Sequence, residues 1–482
     1  MKIFLRLVFT MLMLSIFPDD LISQTRDVTV TIHLRGVYES KISILGLNNS
    51  RVFKPIVEVD GIKNGQTATM IVRKEHLPGE FVMRFDYKEL VSSTPYPSEK
   101  NLIINQQNLE LWVSPIYCNN SDSSYFQKDE IENSTFLAFS MENSGKKEKL
   151  SVLQNFLMSY DDPQSAFYQM GIAEYEQRRM DFNGWLAGQT LKDRKLFVSS
   201  TYSYQFLPQI PWLGTETDRI TSMIEHYFDG IDFSDPLLIR TSFINKWMDN
   251  YVNLYGQMAT TAVLRDSLFP LAGKRAIEKS KNGNPLVYGW MVDYFYRGYE
   301  SNGITAGIAI LQPYLDDPNC LTSKKQEIER RLKGIETLVP GSLAPPIVMH
   351  DSNDEPFDLY KTKSVARFTL LIFWSGDCSH CKELTDQLYS WQQQAEVVKD
   401  VMVVAISLDE LDTEIAAWQK KKADYKQWKH LRAPDGVRSK VADDYYVLAT
   451  PVMILIDQPT MKIVALPNTL AELKDAVKTY RP

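Results

Sequence analysis

Two of the four cysteines in this 482-residue chain lie three positions apart, in Cys378-Ser379-His380-Cys381. What a pair of thiols can do depends on where each one sits. The apolar run Arg367–Trp374 reads as a buried strand ending at Ser375-Gly376-Asp377, and a helix is expected to begin at Cys378. The first cysteine then stands at a helix N-terminus, where unpaired backbone N–H groups and the positive end of the helix dipole favour a thiolate. The second, one turn on, is close enough to attack a mixed disulfide and release its substrate. Lys382 adds positive charge, while Asp377 opposes the thiolate unless it turns to solvent. His380 is expected to donate to the Cys378 sulfur, which favours the reduced form and makes the pair more oxidising.

Other uses of the pair fit less well. Half a zinc site would need a second Cys-x-x-Cys or a His pair at usable spacing, and the sequence holds neither. Haem attachment needs histidine directly after the second cysteine, where this chain has Lys382. A structural disulfide between residues three apart closes a tiny loop and stabilises little. The residues therefore favour redox chemistry through Cys378 and Cys381, with reductant, oxidant and isomerase all open as directions. No cofactor and no metal is expected.

The elements that must position the motif follow a linker at Pro340-Gly341 and Pro345-Pro346, after which strand and helix signals alternate as in a sheet with parallel strands. The helix from Cys378 carries Leu384, Leu388 and Trp391 on one face. Val401–Leu408 is a second apolar strand, followed by a helix through Ile415 and Trp418. Pro434-Asp435-Gly436 precedes a helix around Val441. Ala449-Thr450-Pro451 leads into strands Val452–Ile456 and Lys462–Ala465, and a helix over Leu470–Tyr480 closes the chain.

Four of these pieces carry a resemblance: Gly341-Ser342-Leu343-Ala344-Pro345, the strand ending in Phe373-Trp374, the motif Cys378–Cys381, and Ala449-Thr450-Pro451 before a strand. In that order and spacing, the region from about Gly341 onward resembles the TlpA/ResA-like branch of the thioredoxin superfamily. The resemblance implies a thioredoxin fold and thiol–disulfide oxidoreductase activity. It implies Cys378 as nucleophile, Cys381 as resolving thiol, and Pro451 as a cis-proline facing the disulfide. It leaves the backbone of Thr450 to pair with an extended substrate. Partners would be protein thiols and disulfides, together with a membrane-bound redox donor. Two positions depart from the family pattern. Many relatives have tryptophan before the first cysteine, where this chain has Asp377. Many have glutamate three residues after the second, where Leu384 stands, with Glu383 one place earlier on another helix face. A weaker resemblance sets the upstream segments with uncharacterised β and helical domains of Bacteroidota envelope proteins.

Those upstream segments change character twice. Val28, Val30, Ile32 and Leu34 alternate with Thr29, Thr31 and His33, the period of a half-buried strand. Short runs at Ile42–Leu47, Ile56–Val59, Thr69–Val72, Phe81–Tyr87 and Leu109–Val113 predict further strands in a small antiparallel sheet or sandwich. His33 and His76 stand alone there and read as surface residues. From about Asn133 to Leu338 the apolar spacing becomes helical, as in Asp218–Phe228, Leu237–Tyr255, Asn284–Gly298 and Ser323–Ile335.

At the N-terminus, Lys2 and Arg6 precede an apolar run from Leu7 to Phe17, and Ser23 supplies a small residue for cleavage. That is the pattern of a secretory signal peptide, too short in its apolar run for a membrane span. Export to the periplasm or cell envelope of a Gram-negative bacterium is expected, with no membrane span in the mature chain. Composition agrees with a globular protein: 44% hydrophobic, 23% charged and a net charge of −7 without long like-charge runs. Nothing in that balance suggests a nucleic-acid partner. The expected fold class is multidomain: a signal peptide over 1–23, an all-β sandwich-like domain over 24–122, an all-α domain over 123–338, and an α/β thioredoxin-like domain over 339–482. Two other functions compete. In one, the thioredoxin-like domain is a docking module of an envelope binding protein. In the other it is a thiol peroxidase, although no Pro-x-x-x-Thr-x-x-Cys loop precedes Cys378. Cys118 and Cys320 fall in different expected domains, either free or paired with each other.

Overall fold

The computed structural model describes residues 26–47, 55–362, 364–394 and 397–480, so the expected signal peptide over 1–23 lies outside the described residues. The chain divides into two compact units, Met1–Leu254 and Tyr255–Pro482. Among the described residues no helix is long and apolar enough to cross a membrane.

In the first unit, the strands are β1 (Val28–Leu34), β2 (Glu39–Gly46), β3 (Pro55–Lys63), β4 (Thr67–Val72), β5 (Gly79–Lys88), β6 (Tyr96–Ile104), β7 (Leu109–Val113) and β8 (Tyr125–Phe126). They form two four-stranded sheets, β4-β1-β7-β8 and β3-β2-β5-β6. The alternation in β1 buries Val28, Val30, Ile32 and Leu34 in one core with Ile42 and Ile44 of β2 and Met83 and Phe85 of β5, which makes the pair of sheets a sandwich. One pairing, β1 with β7, is parallel, so the first sheet is not wholly antiparallel.

Two long helices follow, α1 (Glu132–Met158) and α2 (Ala166–Lys192). In α2 the buried aromatics Tyr168, Tyr175 and Phe182 recur every seven residues, once per two turns. Next comes α3 (Glu216–His226), whose N-terminus is closed by a capping box between Thr215 and Asp218. The single helix expected over Leu237–Tyr255 is instead a 3-10 turn over Pro236–Arg240, a break, and α4 (Phe243–Met258). The cause lies in β5. The buried Glu80 carboxylate accepts from Ser242 N at 2.7 Å and Ser242 Oγ at 2.9 Å, which takes that N–H out of a helical ladder.

In the second unit, α5 (Ala262–Ser280), α6 (Pro285–Ser301), α7 (Thr305–Ala309), α8 (Gln312–Leu315) and α9 (Lys325–Thr337) precede a small hairpin of β9 (Val348–His350) and β10 (Pro356–Asp358). Then follow β11 (Phe368–Trp374), α10 (Ser379–Gln392), β12 (Val401–Ser407), α11 (Asp412–Lys422), β13 (Lys429–Arg432), α12 (Lys440–Asp444), β14 (Val452–Asp457), β15 (Lys462–Ala465) and α13 (Leu470–Thr479). The sheet order is β13-β12-β11-β14-β15, parallel through β11 and antiparallel beyond it. Every residue of the central strand β11 is buried, because both sheet faces are covered. Phe368, Leu370, Ile372 and Trp374 share a core with residues of α10, α11 and α13. Leu371 and Phe373 share another with Phe357 of the hairpin and Val441, Ala442 and Tyr445 around α12. A β-rich region, a helical region and a C-terminal α/β domain therefore occur in the expected order.

Candidate active site

The fully buried β11 ends at Trp374, and Ser375-Gly376-Asp377 carries the chain over the top of the sheet into α10. Only glycine fits in the middle of this turn. A Cβ on Gly376 would lie 2.3 Å from the backbone nitrogen of Trp418 in α11. Cys378 is the N-cap of α10, in extended conformation. Its Sγ accepts the N–H of Cys381 at 3.1 Å, so the sulfur takes the place of the oxygen that usually satisfies the first-turn donors. An N–H from the positive end of the helix therefore points at this sulfur.

The two thiols differ in environment. Cys378 is half-buried, whereas Cys381 is fully buried among Trp374, Trp418 and the other residues of its core. Burial, followed by the neighbouring Cys378, pushes the Cys381 thiol up to about 12, against the opposing hydrogen bonds of the Thr450 side chain and the Ser375 backbone. Both cysteines are free thiols here, as are the buried Cys118 and Cys320.

The Thr450–Pro451 bond is cis. The Thr450 carbonyl lies 3.9 Å from the Cys378 sulfur, which places the loop before β14 against the dithiol. Among the described residues the Thr450 N–H makes no hydrogen bond. Cys378, Cys381, Thr450 and Pro451 thus come together from two segments about 70 residues apart in the chain. His380 is different. Its side chain is exposed in the first turn of α10 and makes no hydrogen bond to Cys378 among the described residues, where the Cys381 N–H is the donor instead.

The acid positions also resolve. Leu384 packs against the core, and Glu383 is exposed, 3.5 Å from Gln387 Nε2. Beneath Cys381, a set of groups absent from the sequence reading holds the second turn. The fully buried Thr385 Oγ1 donates to Cys381 O at 2.8 Å and meets the Tyr425 hydroxyl at 3.0 Å. Tyr425 in turn donates to Asp386 at 2.5 Å, and Lys421 pairs with Asp386 at 3.2 Å. A threonine on the buried face of a helix, one turn after a cysteine, is the only trace of this network in the sequence. Among the described residues no cluster of three or more His, Cys, Asp and Glu side chains is arranged to hold a metal.

Residues 366–463 match the family model described as thioredoxin-like, and the C-terminal domain is a thioredoxin-like domain. No curated protein matches the chain. Among solved structures, a thioredoxin-like protein from Bacteroides caccae is 18% identical, with 57% of this chain and 98% of that one covered and a TM-score of 0.38. A domain of a possible thiol-disulfide isomerase from Cytophaga hutchinsonii is 28% identical over 30% of this chain and 93% of that one, TM-score 0.26. A thiol-disulfide oxidoreductase from Bacteroides fragilis is 25% identical over 29% of this chain and 100% of that one, TM-score 0.26.

Proposed function

We propose that this chain is an exported thiol–disulfide oxidoreductase that exchanges disulfides with protein substrates through Cys378 and Cys381. The observation that carries the reading is the Cys378 sulfur capping α10, half-exposed and accepting the Cys381 N–H, with a fully buried partner thiol one turn below. In the reducing direction the Cys378 thiolate attacks one sulfur of a substrate disulfide. A mixed disulfide forms, and the other substrate sulfur leaves as a thiolate that takes up a proton. Cys381 then loses its proton and attacks Cys378 Sγ, which closes the intramolecular disulfide and expels the second substrate thiolate. The chain is oxidised by two electrons and the substrate is reduced by two. The oxidising direction is the reverse.

Pro451 and Thr450 form the substrate wall of this site, where the Thr450 backbone pairs with an extended segment of the partner protein. The leader pattern over 1–23 supports export, and a membrane-bound donor would then return the pair to its starting state.

The test uses the full chain, pre-reduced, in insulin reduction and in peroxide consumption side by side. Insulin should be reduced, Cys378→Ser should abolish that activity, and Cys381→Ala should trap a mixed disulfide through Cys378. Peroxide consumption without insulin reduction would make the protein a peroxidase, and adducts mapping to Cys381 would reverse the roles of the two thiols.

A further inference from the structure

The turn that carries the dithiol is gripped from behind by a side chain far from the motif in sequence. Asp409, two residues after β12, is fully buried. Its Oδ1 accepts from Ser375 Oγ at 2.5 Å and from Gly376 N at 3.1 Å. Its Oδ2 accepts from the same Gly376 N at 3.1 Å and from Ser407 Oγ at 2.7 Å. Its own N–H donates to Ser407 Oγ at 3.2 Å. The grip continues toward the thiols, since Asp377 N donates to Ser375 Oγ and Cys378 N to Ser375 O, both at 3.4 Å.

Two features give this arrangement more than a packing role. Hydrogen bonds accepted by a carboxylate are roughly twice as strong as neutral ones, and here they end on the residues that lead directly into Cys378. The held turn also bears on the second sulfur, because a backbone hydrogen bond from Ser375 is one of the influences that favour the Cys381 thiolate. A dithiol forms its internal disulfide readily only when the two sulfurs are held close, so the rigidity of this turn enters the equilibrium as an effective concentration.

We propose that Asp409 is a positioning residue for the dithiol: by holding Ser375 and Gly376 it fixes the turn between β11 and α10, and so sets how strongly Cys378 and Cys381 favour their mutual disulfide. The inference rests on the redox reading of the pair. Loosening the turn should lower the effective concentration of Cys381 at Cys378 and favour the dithiol, which makes the pair more oxidising.

The experiment equilibrates the full chain in glutathione buffers of graded ratio, quenches with acid and counts alkylated thiols by mass. Asp409→Asn keeps the size but loses one acceptor oxygen, and Ser375→Ala removes the main link to the turn while leaving Asp409 in place. Both should lower the equilibrium constant for the intramolecular disulfide about tenfold, a rise in potential of about 30 mV. Ser407→Ala removes a more deeply buried bond to the same carboxylate but none to the turn, and should shift the constant by less than about threefold. If Asp409→Asn does not fold, Ser375→Ala decides. A wild-type pair that titrates normally, with Ser375→Ala superimposed on it or Ser407→Ala moving as far, overturns the role of Asp409 alone. A wild-type pair that forms no disulfide at any ratio overturns the redox reading and this inference with it.

Discussion

His380 sits between the two cysteines, yet its ring is exposed and the Cys381 N–H occupies the donor position at Cys378 Sγ. What remains for the ring is its positive charge, when protonated, in the first turn of α10. A charge at an exposed helix terminus has a small effect, so His380→Pro should lower the reduction potential by no more than about 20 mV. Proline is tolerated in a first turn, where the backbone N–H has no helical partner, so the fold should survive. Glutathione titration of the two proteins reads the difference. A larger fall would show the ring reaching the sulfur in solution, and a rise would show that it does not stabilise the reduced form at all. The contrast with Asp409 explains what was legible at this scale. Cys378, Cys381 and the Thr450-Pro451 step are contiguous patterns, visible wherever a strand meets a helix or a loop meets a strand. Ser375 with Asp409 and Thr385 with Tyr425 are contacts across 34 and 40 residues, and nothing local marks either partner.

The β9–β10 hairpin shows the same limit among the elements, because its turn is built on one side chain. Asp351 Oδ1 accepts from Asn353 N at 2.8 Å and Glu355 N at 2.9 Å, while its Oδ2 accepts from Lys429 Nζ at 2.5 Å on β13. Burial pushes this carboxyl up, but Lys429 and the two backbone N–H groups outweigh it and hold it at about 2. An unfolded aspartate titrates near 3.9, so the folded value is the lower one. The stabilisation is therefore fully present above about pH 4 and lost as pH falls through about 2. Asp351→Asn should cost roughly 2 kcal/mol at pH 7, with the gap between the two proteins closing toward pH 2. Urea midpoints at pH 7 and pH 3 measure it, and a gap independent of pH would mean that Asp351 acts by shape alone. Taking the difference cancels His430, whose burial lowers its pKa and which weakens both proteins as pH falls below about 6.5. Strands with strict alternation, such as β1, and buried runs, such as β11, were legible because their period is short. The helices α1 and α2 stood out less individually, since each buries few residues, with aromatics in α2 only once every two turns. The break before α4 was invisible, because Glu80, which makes it, lies 162 residues away.

At the scale of the whole molecule, helical periodicity says that a segment buries one face but not what it buries it against. The helical stretch is in fact shared, with α1, α2 and α3 in the first unit and α5 to α9 in the second. This bears on where the thioredoxin-like domain begins, which the linker prolines suggest is residue 339. Within the second unit, α9 packs directly on the segment that leads to Thr450. Arg330 Nη2 donates to Ala442 O at 3.0 Å and Val447 O at 3.3 Å, and its Nε lies 3.4 Å from Asp443 Oδ1. A Cβ on Gly334 would come within 2.7 Å of the Tyr446 Cβ, so the helix and this segment touch backbone to side chain. Leu338, just past α9, is buried in the core that also holds Phe373 and Tyr445. A fragment starting at 339 would lose the Leu338 side chain, worth about 2 kcal/mol, and the charged hydrogen bonds of Arg330, worth about 1.5 kcal/mol or more. A fragment over 323–482 should therefore be more stable than one over 339–482 by about 3 kcal/mol, read as a higher urea midpoint with little change in slope. Arg330→Met in the longer fragment should reproduce part of that loss by itself, because carbonyls that Arg330 satisfied are left to water. Equal midpoints for the two fragments would return the boundary to 339 and leave α9 a neighbour of the thioredoxin-like domain rather than a part of it.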